Sequence, residues 1–125
     1  EDITTVAGAL AFGDAFGSWL LLWGVFTVLL SVGAWYINMP AFLAFALLAL
    51  AYFVLGFANI MNPGDTATML TKIGGWVLIL DGICAWYLAW AASLNSLVPN
   101  KLPLWPYPYS QAEASAPTST PAVHA

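Results

Sequence analysis

One acidic residue, Asp81, lies in the middle of a long apolar run, KIGGWVLILDGICAWYLAWAASLNS. An ionised carboxylate at the centre of a membrane helix costs about 2.5–3.5 kcal/mol on insertion scales. Such a group faces protein or water, or it is protonated. Two interpretations stay open: a proton-linked group or polar-solute site, and a neutral acid that is hydrogen-bonded to a neighbouring helix.

A second candidate site is a stripe of side chains in the preceding apolar run. Leu48, Tyr52, Leu55 and Asn59 follow one another at helical spacing, so they share one face of a helix. As a pore lining, this face would place a hydrophobic constriction next to hydrogen-bonding groups. The alternative is ordinary packing, in which the tyrosine and the asparagine form hydrogen bonds across helices.

Small residues recur along the run that contains Asp81. Because small residues let membrane helices approach closely, we expect their main role to be helix packing. The expected packing residues are Gly74, Gly75, Gly82 and Ala89. An alternative role for Gly82, Ala85 and Ala89 is to keep a pore wall open.

The apolar runs lack the residues that metal binding, haem binding and nucleophilic catalysis require. The single histidine, His124, is in the tail, so no intramembrane metal or haem ligand set is expected. The single cysteine, Cys84, and the serines have no histidine partner within the apolar runs. The sequence therefore predicts no cofactor, no metal and no enzymatic activity.

Composition sets the environment in which these groups must be placed. The 125 residues are 62% hydrophobic and 6% charged, whereas a soluble domain is about 25% charged. Since so small a domain cannot hide that much apolar surface from water, the surrounding solvent must be lipid. The net charge of −4, with only Lys72 and Lys101 as basic residues, offers no basic patch for nucleic acid.

The apolar runs are continuous rather than alternating, which predicts an all-α membrane protein with three transmembrane helices. The helices are expected at residues 16–37, 40–61 and 70–97. The remaining segments are an N-terminal loop or interfacial lead-in at 1–15, a polar loop at 62–69, an interfacial Pro/aromatic segment at 98–109 and a disordered tail at 110–125. In the first helix, Thr27, Ser31 and Asn38 share a face, and we expect the two hydroxyls to bond to their own helix.

Three blocks of this sequence resemble the acetate transporter family (GPR1/FUN34/YaaH, also called AceTr or SatP-like). The last helix carries Gly74-Gly75-Trp76, Ala85-Trp86-Tyr87 and Leu94-Asn95 in the order of that family's final helix. The run LLLWGVFTVLL is similar to the family's fourth helix, and FVLGFANI to the end of its fifth. The resemblance covers about residues 16–105 and corresponds to the C-terminal half of the family, helices four to six.

The resemblance implies a six-helix transporter of acetate and short-chain monocarboxylates in the cell membrane. It implies a proton-coupled (symport) or channel-like mechanism and assembly as a hexamer. By position, Leu48 matches a residue of the family's hydrophobic constriction and Ala85 a residue of the facing wall. The family's signature Asn-Pro-Ala-Pro-Leu-Gly-Leu is absent from this chain. An alternative therefore stays open: a non-catalytic, three-helix accessory or anchor subunit of a larger membrane complex.

Overall fold

The computed structural model describes residues 3–99 and 101–105, and its architecture is three α-helices. Helix α1 spans Ile3–Trp35, α2 spans Met39–Ile60 and α3 spans Asp65–Leu97. Each is long and apolar enough to cross a membrane. The described part of the chain contains no strand. The predicted all-α fold with three membrane-spanning helices is therefore confirmed.

The N-terminal segment, expected as a loop or interfacial lead-in at 1–15, is helical from Ile3 onwards. At about 1.5 Å per residue, its 33 residues extend about 50 Å, well beyond a hydrocarbon core of about 30 Å. One end of α1 can therefore lie outside the hydrocarbon, where the exposed Asp14 is tolerated. The charge that marked this segment as a loop is compatible with a helix that continues past the bilayer.

The turn between α2 and α3 is shorter than the expected polar loop at 62–69. Helix α3 begins at Asp65, whose negative charge in the first turn is favourable at a helix N-terminus. The Thr68 hydroxyl donates to the Gly64 carbonyl over 3.0 Å, so this polar residue is satisfied within the helix. Helix α3 ends at Leu97. The expected tail at 110–125 and the end of the interfacial segment lie outside the described residues.

The connection between α1 and α2 is tight because a side chain replaces the missing helical hydrogen bonds. Asn38 precedes α2, and its Oδ1 accepts a hydrogen bond from the Ala41 N–H over 2.9 Å. Pro40 occupies the first turn, where a residue without an N–H forfeits nothing. Helix α2 therefore begins at Met39, directly after its cap.

Helix α2 is the central element: it packs against both α1 and α3, whereas no Cα atom of α1 lies within 8 Å of one of α3 in the described residues. The α1–α2 seam is closed by glycine. A methyl group added to Gly17 would come within 2.7 Å of the Gly56 carbonyl oxygen. Farther along this seam, Thr27 and Ser31 are buried and donate to carbonyls of their own helix over 2.7 Å each, as expected.

The outer face of α1 carries a ladder of aromatic rings. Successive ring centroids are 5.5–6.0 Å apart along the ladder. Its members are Phe12, Phe16, Trp19, Trp23 and Phe26, all of them exposed. Such a surface suits hydrocarbon and is not compatible with water, in agreement with a membrane-spanning helix.

Candidate functional site

The stripe on α2 lies between the two flanking helices. A methyl group on Gly24 of α1 would come within 3.3 Å of Tyr52 Cβ, and one on Gly17 within 3.1 Å of Asn59 Cβ. On the other side, a methyl group on Gly74 of α3 would come within 2.6 Å of Leu55 Cγ. Because α1 and α3 do not touch, they leave a concave surface along α2. We call it the α2 trough; its floor is Leu48, Tyr52, Leu55 and Asn59.

The opposite face of α2 shows that the trough is the concave side. All four floor residues are half-buried. Leu43, Leu50 and Phe57 are spaced seven residues apart on the other face and are 42%, 50% and 54% exposed. No other element of the described chain covers the floor, so its burial comes from the walls that α1 and α3 provide.

The polar groups of the trough are only partly used by the protein. Asn59 Nδ2 donates to the Leu55 carbonyl of its own helix over 2.8 Å. One N–H and the amide oxygen of that side chain remain for another partner. The Tyr52 hydroxyl makes no hydrogen bond to any described residue. Neither side chain forms the bond across helices that ordinary packing would require.

Asp81 lies at the level of the apolar end of the trough. Helices α2 and α3 are antiparallel neighbours, and Gly74 faces Leu55. Seven residues forward from Gly74 is Asp81, and seven residues back from Leu55 is Leu48. Both steps move about 10.5 Å along the same direction. Asp81 and Leu48 are therefore at the same depth on adjacent helices.

The carboxyl group of Asp81 has no partner among the described residues. The residue is buried, with 8% of its surface exposed, and neither a hydrogen bond nor an ion pair joins its side chain to another described residue. No side-chain polar atom in this part of the chain is both fully occluded and unpaired. The surface that Asp81 retains must therefore include its carboxyl oxygens.

Ala85 faces the same side of the helix pair as the trough. The opposite side holds a groove of about 490 Å³ between α2 and α3, to which Leu43, Ile83 and Cys84 contribute. Two residues along a helix turn the side chain by about 200°, so Ala85 points away from Ile83. Gly82 and Ala89 lie about one turn on either side of Ala85. These three residues are exposed.

The structure thus brings the candidate solute-path residues together on one side of the molecule. Leu48, Tyr52 and Asn59 form the floor, Asp81 lies at the edge of the α2–α3 seam, and Ala85 lies on the adjoining face of α3. Their roles in transport stay predictions. Among the expected packing residues, Gly74 contacts α2, whereas a methyl group on Gly75 or Gly82 would meet nothing within 4 Å. The exposed Ala89 faces the same open space.

Sequence reasoning assigned no role to the side chains that hold the chain after α3. Residues 101–105, which we call the C-terminal strap, fold back along α3. Asn95 Nδ2 donates to the Leu102 carbonyl over 2.9 Å, and its Oδ1 accepts from the Leu102 N–H over 3.0 Å. The Tyr87 hydroxyl donates to the Pro103 carbonyl over 2.7 Å. The Met39 N–H donates to the Trp105 carbonyl over 3.3 Å.

The strap joins the beginning of α2 to the end of α3. Trp105, with φ at 44°, has left-handed backbone, which is unfavourable for a residue with a side chain. Its ring lies 6.4 Å from that of Tyr87, and it lines the outer groove together with Cys84. The only signals in the sequence are Asn95 near the helix end and the Pro/aromatic run after it. Neither shows that the run turns back.

Comparison with known proteins adds the family. Neither a curated protein nor a solved structure matches this chain. The sequence profile of the GPR1/FUN34/yaaH family matches residues 4–104, which include all of α2 and α3 and nearly all of α1. The match extends twelve residues farther towards the N-terminus than the resemblance seen in the sequence, from 16 back to 4. The chain is a multi-pass membrane protein and belongs to the GPR1/FUN34/yaaH family.

Proposed function

We propose that this chain carries acetate or similar short-chain monocarboxylates across the membrane along the α2 trough, as a family protomer or part of one. Its family is one of transporters and channels and not of enzymes. The observation that carries the proposal is the order of groups along the trough floor. Leu48 stands at one end, and the polar Tyr52 and Asn59 follow towards the other.

The chemistry of a small carboxylate suits this order. The anion has to shed water at an apolar constriction and needs a few neutral donors to replace that water. Lysine or arginine would bind it too tightly, because conduction requires binding that is weak enough for release. Lys72 is the only basic residue in the three helices, and it is exposed in the early part of α3.

Each trough residue has a role in this proposal. Leu48 forms the constriction, while the Tyr52 hydroxyl and the free N–H of Asn59 donate to the carboxylate. Ala85 keeps the facing wall open. Asp81, at the depth of Leu48, exchanges the proton in a symport mechanism and is a spectator if the protein is channel-like.

The open side of the trough requires a cover. Without a cover, the polar groups on the floor would face hydrocarbon. Transferring one unsatisfied polar group from water to hydrocarbon costs on the order of several kcal/mol. We propose that further helices provide this cover in a homo-oligomer or a larger protomer in the cell membrane. The hexamer implied by the family resemblance is one such assembly.

A proteoliposome experiment tests the proposal. The chain is reconstituted alone and together with a three-helix first half from a family member, and uptake of labelled acetate is measured. Uptake by either preparation above that of empty vesicles supports the proposal. An inert chain in both preparations, at verified protein density and orientation, overturns it.

A second candidate function is that of a three-helix accessory or anchor subunit. The open face formed by Gly75, Gly82 and Ala89 favours it, because small residues on membrane helices pack against other helices. Stable copurification with unrelated large subunits, without acetate movement in any preparation, is the result that this function predicts. Uptake that depends on the trough residues is incompatible with it.

A further inference from the structure

A groove with a volume of about 490 Å³ lies between α2 and α3, on the side opposite the α2 trough. We call it the outer groove. Leu43, Ile83 and Cys84 line its deeper part, and Met39 and Trp105 contribute to its rim. No residue of the proposed solute path lines this groove. An occupant of the outer groove is therefore separate from a solute in the trough.

The outer groove opens at one boundary of the hydrocarbon core. Helix α2 has 22 residues, so it extends about 33 Å, close to the core thickness of about 30 Å. Met39, its first residue, therefore lies near a boundary, and Leu43 lies about 6 Å deeper. The Met39 N–H donates to the Trp105 carbonyl over 3.3 Å, which holds Trp105 at the same level. Tryptophan is enriched at this boundary.

The rim offers an occupant mainly apolar contact, because its polar groups are already hydrogen-bonded. The Tyr87 hydroxyl donates to the Pro103 carbonyl over 2.7 Å, and the Met39 N–H is bonded to the strap. Cys84, deeper in the groove, behaves as a small hydrophobic residue. An extended peptide would need hydrogen-bond partners for its backbone in hydrocarbon. An acyl chain needs none, so the groove suits a lipid chain.

A positive charge lies beyond the rim. Lys101 belongs to the C-terminal strap, which Asn95 holds by two hydrogen bonds. The register of the α2–α3 pair places Met39 level with Trp90, and Asn95 is about 7.5 Å farther along the axis. Lys101 is therefore in the headgroup layer. It is exposed and forms no ion pair with a described residue.

No acidic residue of the described chain lies at this end of the helices to neutralise Lys101. Asp65 and Lys72 are in the early part of α3, after the turn that follows α2. Asp14 follows the glycine that approaches the Asn59 carbonyl, near the end of α2. All three lie towards the opposite side of the membrane. An anionic headgroup is therefore the complement that Lys101 fits.

We infer that the outer groove holds an acyl chain of an anionic glycerophospholipid and that Lys101 binds its phosphate. The apolar lining favours the chain, the depth favours entry from the headgroup layer, and the lysine favours a negative headgroup. One lysine near the membrane surface favours an anionic lipid about fivefold. The inference is independent of whether a solute passes along the trough.

Photocrosslinking in liposomes tests this inference. The chain is reconstituted in phosphatidylcholine with a trace of a probe lipid that carries a diazirine in one acyl chain. One probe is phosphatidylglycerol and the other is phosphatidylcholine, with identical chains. After irradiation, mass spectrometry locates and quantifies the labelled residues. We expect Leu43 and Cys84 to be labelled about fivefold more by the phosphatidylglycerol probe.

Two pairs of variants identify the contacts. Lys101→Gln should abolish the advantage of phosphatidylglycerol in the groove, Lys101→Arg should retain it, and Lys72→Gln, at the other membrane face, should change nothing. Ile83→Trp should fill the groove and lower the labelling of Cys84 by both probes. Ile79→Trp is its matched control, one turn earlier on α3 and outside the groove. Circular dichroism verifies that the helices of each variant are intact.

Four results would overturn the inference. Equal labelling of the groove by the two probes is the first, and an advantage of phosphatidylglycerol that survives Lys101→Gln is the second. The third is groove labelling that does not exceed labelling of the aromatic ladder on α1. The fourth is a groove that neither probe labels, which would mean that protein covers it. Because none of these measurements involves uptake, failure here leaves the transport proposal to its own experiment.

Discussion

Gly74 and Leu55 set the register of the α2–α3 pair. Leu55 Cγ and Cδ2 both lie within 2.6 Å of the point where a β-carbon on Gly74 would stand. A leucine side chain therefore occupies the space that any other residue at position 74 would need. This single contact places Asp81 at the depth of Leu48 and puts the acid beside the α2 trough.

Gly74→Ala should destabilise the helix pair. The new methyl group must displace the Leu55 side chain at Cγ as well as at Cδ2, so moving its tip alone does not make room. The expected loss is about 1–3 kcal/mol, the usual range for overpacking. Unfolding in mixed micelles with increasing SDS, followed by circular dichroism, measures it. Gly75→Ala is the matched control, because a methyl group there meets nothing within 4 Å. Equal midpoints for the two variants would refute the proposed register.

Gly17→Ala should be more damaging than Gly74→Ala. The methyl group on Gly17 would meet the backbone carbonyl oxygen of Gly56 at 2.7 Å. Backbone cannot rotate away as a side chain can, so α1 and α2 must separate along the seam. In the same unfolding assay, Gly33→Ala serves as the control on α1, since its methyl group would lie in open space. The account is wrong about this seam if both α1 variants unfold at the same SDS fraction.

The C-terminal strap can be tested with the protein's own thiol. Cys84 and Trp105 line the same groove, so release of the strap should expose the cysteine. Asn95→Leu removes two hydrogen bonds that together contribute about 1–3 kcal/mol. We expect alkylation of Cys84 by a small, membrane-permeant maleimide to become about tenfold faster. Ser93→Ala, which removes only a hydroxyl bonded to its own helix, should leave the rate unchanged. An unchanged rate in Asn95→Leu would show that the strap does not cover the thiol.

Much of this fold could be predicted from the sequence, because a membrane restricts the structures that a long apolar segment can adopt. Long uncharged runs define the helices, because lipid leaves the backbone no other way to satisfy its hydrogen bonds. The Asn38 cap was not predicted, although asparagine is one of the preferred N-cap residues. The sequence did not predict the helix ends that extend beyond the bilayer. Asp14 and Asp65 are acceptable both in a loop and in the solvent-exposed end of a helix.

The candidate site could be predicted only in part from the sequence. Helical spacing placed Leu48, Tyr52 and Asn59 on one face, and the structure adds that this face lies between two walls. Spacing within one helix cannot show which neighbour it meets, so the depth shared by Asp81 and Leu48 required the Gly74–Leu55 contact. The strap was missed because two hydrogen bonds to one Asn95 side chain leave no periodic signal.

Tyr52→Phe separates a role in transport from a role in packing. The hydroxyl has no hydrogen-bond partner among the described residues, so its removal should leave the unfolding midpoint unchanged. If the hydroxyl donates to the solute, the initial rate of acetate uptake should fall by about 2–10-fold, the equivalent of one hydrogen bond. A variant that loses stability but transports normally would contradict this assignment.

Uptake by two leucine variants of α2 tests the trough most directly. Leu48 is on the trough floor and Leu50 is on the opposite face, half exposed at 50%. Both are changed to alanine in the form of the protein that transports labelled acetate, and both are verified to be folded. The account predicts that Leu48→Ala widens the constriction, raising the acetate rate and admitting larger monocarboxylates, while Leu50→Ala transports like the unaltered chain. Identical uptake and identical solute preference in the two variants would contradict it.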